Sequence, residues 1–189
     1  MMLRVAVAVA AVALASLVPS GARAADTYEI DPAHTSVQFS IRHMMISNVR
    51  GEFTKLSGKA VGDIAQPTEA VVEATIDATS VDTRDEKRDE HLKSPDFLDV
   101  AKFPTLTFKS TKVEKAGDGW KLTGDLTLHG VTKSVQIPVS ATLSGGVVTV
   151  TGSLPIVFAD YGMQPPNSFK VLSVDDHGVM ELQLHFRHA

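Results

Sequence analysis

The feature that most constrains this fold is a period-two alternation of apolar and polar residues along most of the chain. Val37, Phe39 and Ile41 alternate with polar residues, as expected of a strand with one buried face. The same parity recurs over 69–78, 105–109, 120–129, 135–143, 148–154 and 180–186, and less regularly over 50–59. Short glycine-containing turns join several of these segments. The alternation therefore predicts an all-β fold of about eight antiparallel strands.

A single short helix is predicted between these strands, over about 84–92. Thr83 and Glu86 have the spacing of a capping box with Thr83 as the N-cap, and Pro95 follows the segment. Leu92 is its only large apolar side chain. We therefore expect this helix to lie across the surface or a rim, because one apolar residue cannot form a core-facing stripe.

A sheet with one apolar face must pack on a second sheet or close on itself, and the alternation leaves both the sandwich and the barrel open. Several inward positions hold small residues, among them Ala74, Gly124 and Gly152. Such residues leave room inside an eight-stranded barrel, although they also fit a taper or a close sheet crossing. If the barrel forms, its strands enclose an apolar tube on the order of 23 Å long.

The N-terminus has the pattern of an export signal. Arg4 precedes an apolar run over 5–18 that is too short to span a bilayer, and 22–24 reads Ala-Arg-Ala. We predict a cleaved signal peptide over 1–24 and a single domain over 25–189; the alternative is an uncleaved membrane helix. The signal segment carries two of the 18 basic residues and none of the 22 acidic ones, so the mature chain has a net charge of −6.

Composition and motifs argue against several other functions. The charges are scattered, without the clustered basic face that nucleic-acid binding needs. The chain has no cysteine, and its seven histidines lack metal-ligand spacing, so we expect no metal. It contains neither a nucleophile elbow nor a phosphate-binding or dinucleotide-binding loop. An exported enzyme using histidines and carboxylates at the barrel mouth remains an alternative, as does a stress-protective protein acting through partners.

Several longer motifs follow one another along nearly all of 25–189. They are YEIDPAHTSVQF (28–39) followed by His43, VRGEF (49–53), RDEHLKSPDFLDV (88–100), FPTLTFKS (103–110) and GDLTLHGVTK (124–133). In content and order they resemble the bacterial YceI-like family. The chain departs from that pattern at Val157, where many relatives carry a polar or basic residue.

The resemblance implies a periplasmic or secreted, lipocalin-like barrel that binds a long amphiphilic isoprenoid, such as a polyprenyl or quinone tail, without catalysis. We therefore predict no cofactor beyond this lipid, no nucleic-acid partner and no stable membrane anchor, and leave a homodimer open. The predicted barrel-lining contacts are Phe39, Ile41, Val72, Ala74, Ile76, Phe108, Trp120, Leu126, Leu182 and Phe186. The predicted mouth or lid contacts are His43, Phe53, Leu92, Phe97, Phe103 and Phe169.

Overall fold

The computed structural model describes residues 25–43, 47–163 and 174–189. These residues form β1 (Asp26–Ile30), β2 (Ser36–His43), β3 (Ser47–Phe53), β4 (Leu56–Gly62), β5 (Val71–Asp77), β6 (Val81–Asp82), helix α1 (Glu86–Lys93), β7 (Thr105–Ala116), β8 (Gly119–Leu128), β9 (Val131–Ser144), β10 (Val147–Val157) and β11 (Val174–His188). Three short 3-10 turns lie at Pro67–Glu69, Ala78–Ser80 and Phe158–Tyr161. Within these ranges no helix is long and apolar enough to cross a membrane.

The strands close into one antiparallel barrel. The ring runs β1-β4-β5-β7-β8-β9-β10-β11, and β11 returns to β1 through pairs such as Tyr28 with His188. The other three strands occupy the same positions in the wall as strands of this ring. β2 lies beside β11 beyond the end of β1, β3 lies before β4, and β6 lies beyond the end of β5. The wall is therefore eight strands wide, which confirms the predicted closed barrel and decides against the sandwich.

Two short breaks interrupt the wall where the chain bends between these segments. After β1, Asp31 Oδ1 accepts a hydrogen bond from the Ala33 N–H at 3.1 Å, which forms a tight turn. After β3, the N–H groups of Thr54 and Lys55 donate to the carbonyl and hydroxyl oxygens of Ser80. These hydrogen bonds satisfy the backbone groups at the two breaks. The barrel therefore closes although β1 and β2, and likewise β3 and β4, are separate strands.

The pairing between β9 and β10 covers only part of either strand. In the described residues it ends at Val139 with Gly152, and β9 continues alongside β8. Lys133 has inward parity opposite Leu126, but its side chain is exposed and its Nζ lies 3.3 Å from Asp160 Oδ1. A charge at an inward position of a partly unpaired strand discourages pairing with another chain.

Helix α1 lies on the rim, as predicted, but its N-cap differs from the prediction. Asp85 is the N-cap, and its Oδ1 accepts a hydrogen bond from the Arg88 N–H. The predicted capping box with Thr83 as the N-cap is wrong, because Arg84 adopts a φ of 61° and turns the chain before the helix begins. Thr83 is buried instead, and its hydroxyl donates to Asp89 Oδ1 at 2.6 Å.

The barrel has two different ends. The hairpin end carries the connections over 63–70, 117–118 and 145–146 together with the start of β1 and the end of β11. The helix end carries α1, the segment 94–104 and the turn over 129–130, with Phe158–Tyr161 beside them.

Candidate ligand cavities

The barrel interior holds two separate apolar cavities. The hairpin-end cavity has a volume of about 270 Å³ and the helix-end cavity about 50 Å³. The first is lined by Tyr28, Ala60, Gly62, Asp63, Ile64, Pro67, Ala70, Val72, Val113, Trp120, Leu122, Val139, Ala141, Thr142, Leu143, Val148, Val150 and Phe186. The second is lined by Phe39, Ile41, Phe53, Val81, Leu92, Phe97, Leu98, Leu106, Leu128, Ile156, Phe158, Met163, Gly178, Val179 and Met180. No residue belongs to both sets.

The hairpin-end cavity opens toward solvent between two connections. Ile64, in the loop after β4, is 39% exposed, and Leu143, at the end of β9, is 56% exposed. Asp63 is the charged residue of the lining, and its Oδ1 accepts a hydrogen bond from the Ala65 N–H at 2.8 Å. The cavity thus combines predominantly apolar walls with one charged side chain that is anchored near its opening.

The helix-end cavity is small because aromatic rings fill most of this end. Phe39 and Phe53 have ring centroids 5.6 Å apart, and Phe97 meets Phe158 edge-to-face at 5.1 Å. The Phe39 ring occupies the space that a Cβ on Gly51 would need. At about 50 Å³, this cavity is far below the usual range for small-molecule sites, about 300–1,000 Å³.

A packed layer separates the two cavities. Along β8, for example, Trp120 and Leu122 line the hairpin-end cavity, Leu126 lines neither, and Leu128 lines the helix-end cavity. The same order occurs along β10 and β11. The layer comprises Ile30, Val37, Ala74, Ile76, Phe108, Leu126, Ile137, Leu154, Leu182 and Leu184, all within the apolar core.

This layer corrects the predicted continuous tube. The Phe108 ring lies against Gly124, where a Cβ would come within 2.5 Å of the ring. The small residue therefore accommodates a neighbouring side chain instead of leaving open space. Ala74 pairs directly with Phe108 and packs closely on Gly58. At these positions the small inward residues make room for larger side chains and do not enclose open space.

The sequence-predicted contacts divide among these regions, and ligand contact itself stays a prediction for every one of them. Val72, Trp120 and Phe186 line the hairpin-end cavity. Phe39, Ile41, Phe53, Leu92 and Phe97 line the helix-end cavity. Ala74, Ile76, Phe108, Leu126 and Leu182 belong to the packed layer. Phe103 lines neither cavity and covers Gly130, with its ring 4.8 Å from that of His129. Phe169 and the side chain of His43 lie outside the described residues.

Sequence reasoning missed most of the hairpin-end mouth. Ile64 and Pro67 lie in a connection, where strand parity carries no information. Tyr28 belongs to β1, a five-residue strand that precedes the recognised alternation. Val148 and Val150 could have been found, since they belong to an alternating segment that was recognised as inward-facing.

The ion pairs of the described residues lie outside the linings of both cavities. Asp31 Oδ2 is 2.7 Å from His34 Nδ1 and 2.6 Å from an Arg187 guanidinium nitrogen. The hydrogen bond from His34, with a smaller contribution from Arg187, lowers the pKa of Asp31. On another part of the wall, the hydrogen bond from Lys109 at 2.9 Å lowers the pKa of Glu73.

The cavity linings offer shape and apolar contact, with little means for acid–base chemistry. No histidine, lysine or arginine among the described residues lines either cavity. The described part of the chain also contains no cluster of three or more histidine, cysteine, aspartate or glutamate residues that could hold a metal ion. The arrangement can enclose an apolar group and leave a polar one at the mouth.

A closed eight-stranded barrel with an apolar cavity open at one end is the architecture of barrels that hold one small ligand. The comparison with protein families makes the assignment specific. The model of the YceI-like domain matches residues 28–186, and the chain belongs to this family.

Individual relatives agree in sequence and in fold. A UPF0312 protein of Vibrio parahaemolyticus is 44% identical over 128 residues, which cover 66% of this chain and 67% of the relative. The chain spans between 63% and 67% of the length of curated relatives such as this one. The crystal structure of Burkholderia cenocepacia BcnA has a TM-score of 0.77 at 26% identity and covers 82% of this chain and 98% of its own. A polyisoprenoid binding domain from Saccharophagus degradans has the same fold, with a TM-score of 0.68 at 19% identity, covering 86% and 98%.

Proposed function

We propose that this protein binds an amphiphilic isoprenoid lipid non-covalently and carries or stores it in the periplasm or outside the cell. The observation that carries the proposal is the hairpin-end cavity, about 270 Å³ in volume, with predominantly apolar walls and an opening to solvent. The apolar tail lies in this cavity and the polar head stays at the mouth. Export rests on the predicted signal peptide over 1–24.

Burial of the tail supplies the binding free energy. Removing several hundred Å² of apolar surface from water, at about 25 cal/mol per Å², gains several kcal/mol before the cost of ordering the ligand. The cavity lies near the lower end of the usual range for ligand sites. It therefore fits a short isoprenoid or one end of a long one, and a longer tail requires the packed layer to rearrange.

The charges around the cavity favour a neutral head group. A phosphate or diphosphate head would meet the Asp63 carboxylate at the mouth, with no cationic side chain among the described lining residues. A hydroxyl head can instead donate a hydrogen bond to a carboxylate. The site thus supports a prenol head over a prenyl phosphate.

Two further observations support binding in preference to catalysis. The structurally similar domain from Saccharophagus degradans is described as polyisoprenoid-binding. No member of the His–carboxylate pairs of the described residues, such as Asp31 with His34, belongs to the lining of either cavity. They leave the alternative of an enzyme at the barrel mouth without a suitable group in the cavity.

The test is organic extraction of the purified mature protein followed by mass spectrometry, together with a binding titration with prenols of graded length. Ala60→Trp places an indole in the cavity, while Val61→Trp changes the next residue on the opposite strand face. Loss of about 100 Å² of tail contact corresponds to about 2.5 kcal/mol, or roughly 60-fold in affinity. We expect this loss for Ala60→Trp and near wild-type affinity for Val61→Trp.

The proposal fails if the wild-type protein yields no extracted lipid and binds none of the prenols. It also fails if the two variants bind prenols equally well, since the cavity would then not be the site. Circular dichroism and thermal unfolding of both variants separate loss of binding from loss of folding.

A further inference from the structure

The exposed large apolar side chains collect at one end of the barrel. In the described part of the chain there are four: Ile64 (39% exposed), Val71 (41%), Leu143 (56%) and Val157 (42%). Ile64 lies in the connection between β4 and β5, Val71 is the first residue of β5, and Leu143 precedes the β9–β10 turn. These three form what we call the apolar rim, at the hairpin end. Val157 lies at the helix end.

The apolar rim is continuous with the interior. Ile64 and Leu143 each line the hairpin-end cavity while exposing a large part of their side chains to solvent. Ile64 comes from the connection between β4 and β5 and Leu143 from the last residues of β9, so apolar surface flanks the opening on more than one side. Isolated exposed apolar residues are common, but a group around a cavity mouth marks an interaction surface.

The charges near the rim are mainly negative. Asp26, Asp63 and Asp118 are at this end, and Lys115 donates from its Nζ to the Asp118 carbonyl oxygen while lying 4.6 Å from the Trp120 ring. His188 Nε2 is 3.6 Å from Asp26 Oδ1. This excess of carboxylates disfavours an anionic surface, so the chemistry of the rim fits an uncharged apolar partner.

We propose that the apolar rim docks on the surface of an electrically neutral lipid bilayer, so that the ligand passes between bilayer and cavity without crossing water. This inference rests on the proposed isoprenoid binding, because a lipid ligand gives the cavity a reason to open onto a membrane. Ile64 and Leu143 enter the interfacial region of the bilayer, and Val71 adds contact beside them. Such docking depends on buried apolar area and needs no attraction between charges.

The main test uses vesicles of phosphatidylcholine that contain a fluorescently labelled prenol. The double variant Ile64→Glu/Leu143→Glu places charge on the rim, and Val157→Glu makes the same kind of change at a similarly exposed residue of the opposite end. We expect transfer from vesicle to protein to slow by about tenfold or more in the double variant, because a charged side chain opposes entry into the interface. The control should transfer at the wild-type rate.

Two additional measurements separate docking from ligand binding. Val71 belongs to the apolar rim but not to the cavity lining, so Val71→Glu should slow transfer from vesicles while leaving the affinity for prenol added without vesicles at the wild-type value. Cosedimentation with prenol-free phosphatidylcholine vesicles should be detectable for the wild type and lost in the double variant. The wild type could bind no prenol and still cosediment with vesicles, while the double variant does not. In that case the proposed function fails and docking stands.

Vesicle charge and self-association provide the remaining outcomes. Replacing part of the phosphatidylcholine by phosphatidylglycerol should slow wild-type transfer, and salt should restore it, because the rim is acidic. Docking is overturned if the double variant transfers prenol at the wild-type rate. It is also overturned if sedimentation velocity shows a dimer that the double variant dissociates while transfer is unchanged, since the rim would then bind a second copy of the chain.

Discussion

Truncating Leu126 tests whether the middle of the barrel is a packed layer. Leu126 is 4% exposed, lines neither cavity and pairs with Phe108 on the neighbouring strand. Leu→Ala substitutions at packed sites cost about 2–5 kcal/mol, because the lost transfer free energy adds to the cost of the cavity that remains. For Leu126→Ala we expect about 3 kcal/mol, which corresponds to a Tm lower by roughly 6–12 °C in a domain of this size.

Urea unfolding followed by circular dichroism measures this change. With a typical m-value of about 2 kcal/mol per molar urea, the midpoint should fall by roughly 1.5 M. Leu143→Ala is the matched control, since it makes the same chemical change at a residue that is 56% exposed, and it should stay within about 0.5 kcal/mol of the wild type. A cost below about 1 kcal/mol for Leu126→Ala would refute the packed layer and restore a continuous tube.

Three further predictions concern single contacts. Gly124→Ala should destabilise the fold by about 1–3 kcal/mol in urea unfolding, because the new Cβ meets both the Lys109 carbonyl oxygen and the Phe108 ring; an unchanged midpoint would contradict this close packing. Asp85→Ala should cost about 1 kcal/mol in thermal unfolding through loss of the N-cap, whereas no change would indicate another cap. Because its hydrogen bond with His34 lowers the pKa of Asp31, Asp31→Asn should lower the Tm at pH 7, and the difference from wild type should shrink as pH falls below about 4; a pH-independent difference would exclude this cause.

The period-two pattern predicted an antiparallel all-β fold because every strand buries one face, and the resemblance to the YceI-like family favoured the barrel over the sandwich. It could not show where the wall bends. The break between β3 and β4 depends on Ser80, which is distant in sequence and supplies the hydrogen bonds for Thr54 and Lys55. For the same reason the irregular parity over 50–59 appeared as one weak strand and not as two short ones.

Parity also predicted which residues face inward, but not which of them meet open space. Leu126 and Trp120 have the same parity on β8, yet only Trp120 lines a cavity. The difference depends on the volumes of side chains from neighbouring strands, such as the Phe108 ring that lies against Gly124. Such cross-strand packing depends on register, which a single sequence specifies only through its turns.

The position of β11 has a consequence for the order of events during synthesis. This final strand pairs with β10 on one side and with both β2 and β1 on the other. It includes a hydrogen bond from the His185 N–H to Thr35 Oγ1, 150 residues earlier in the chain. The ring therefore cannot close while the ribosome still holds the last strand. Contacts of such long sequence separation make folding slow, typically in the millisecond-to-second range, so the barrel reaches its closed form only after β11 has been synthesised.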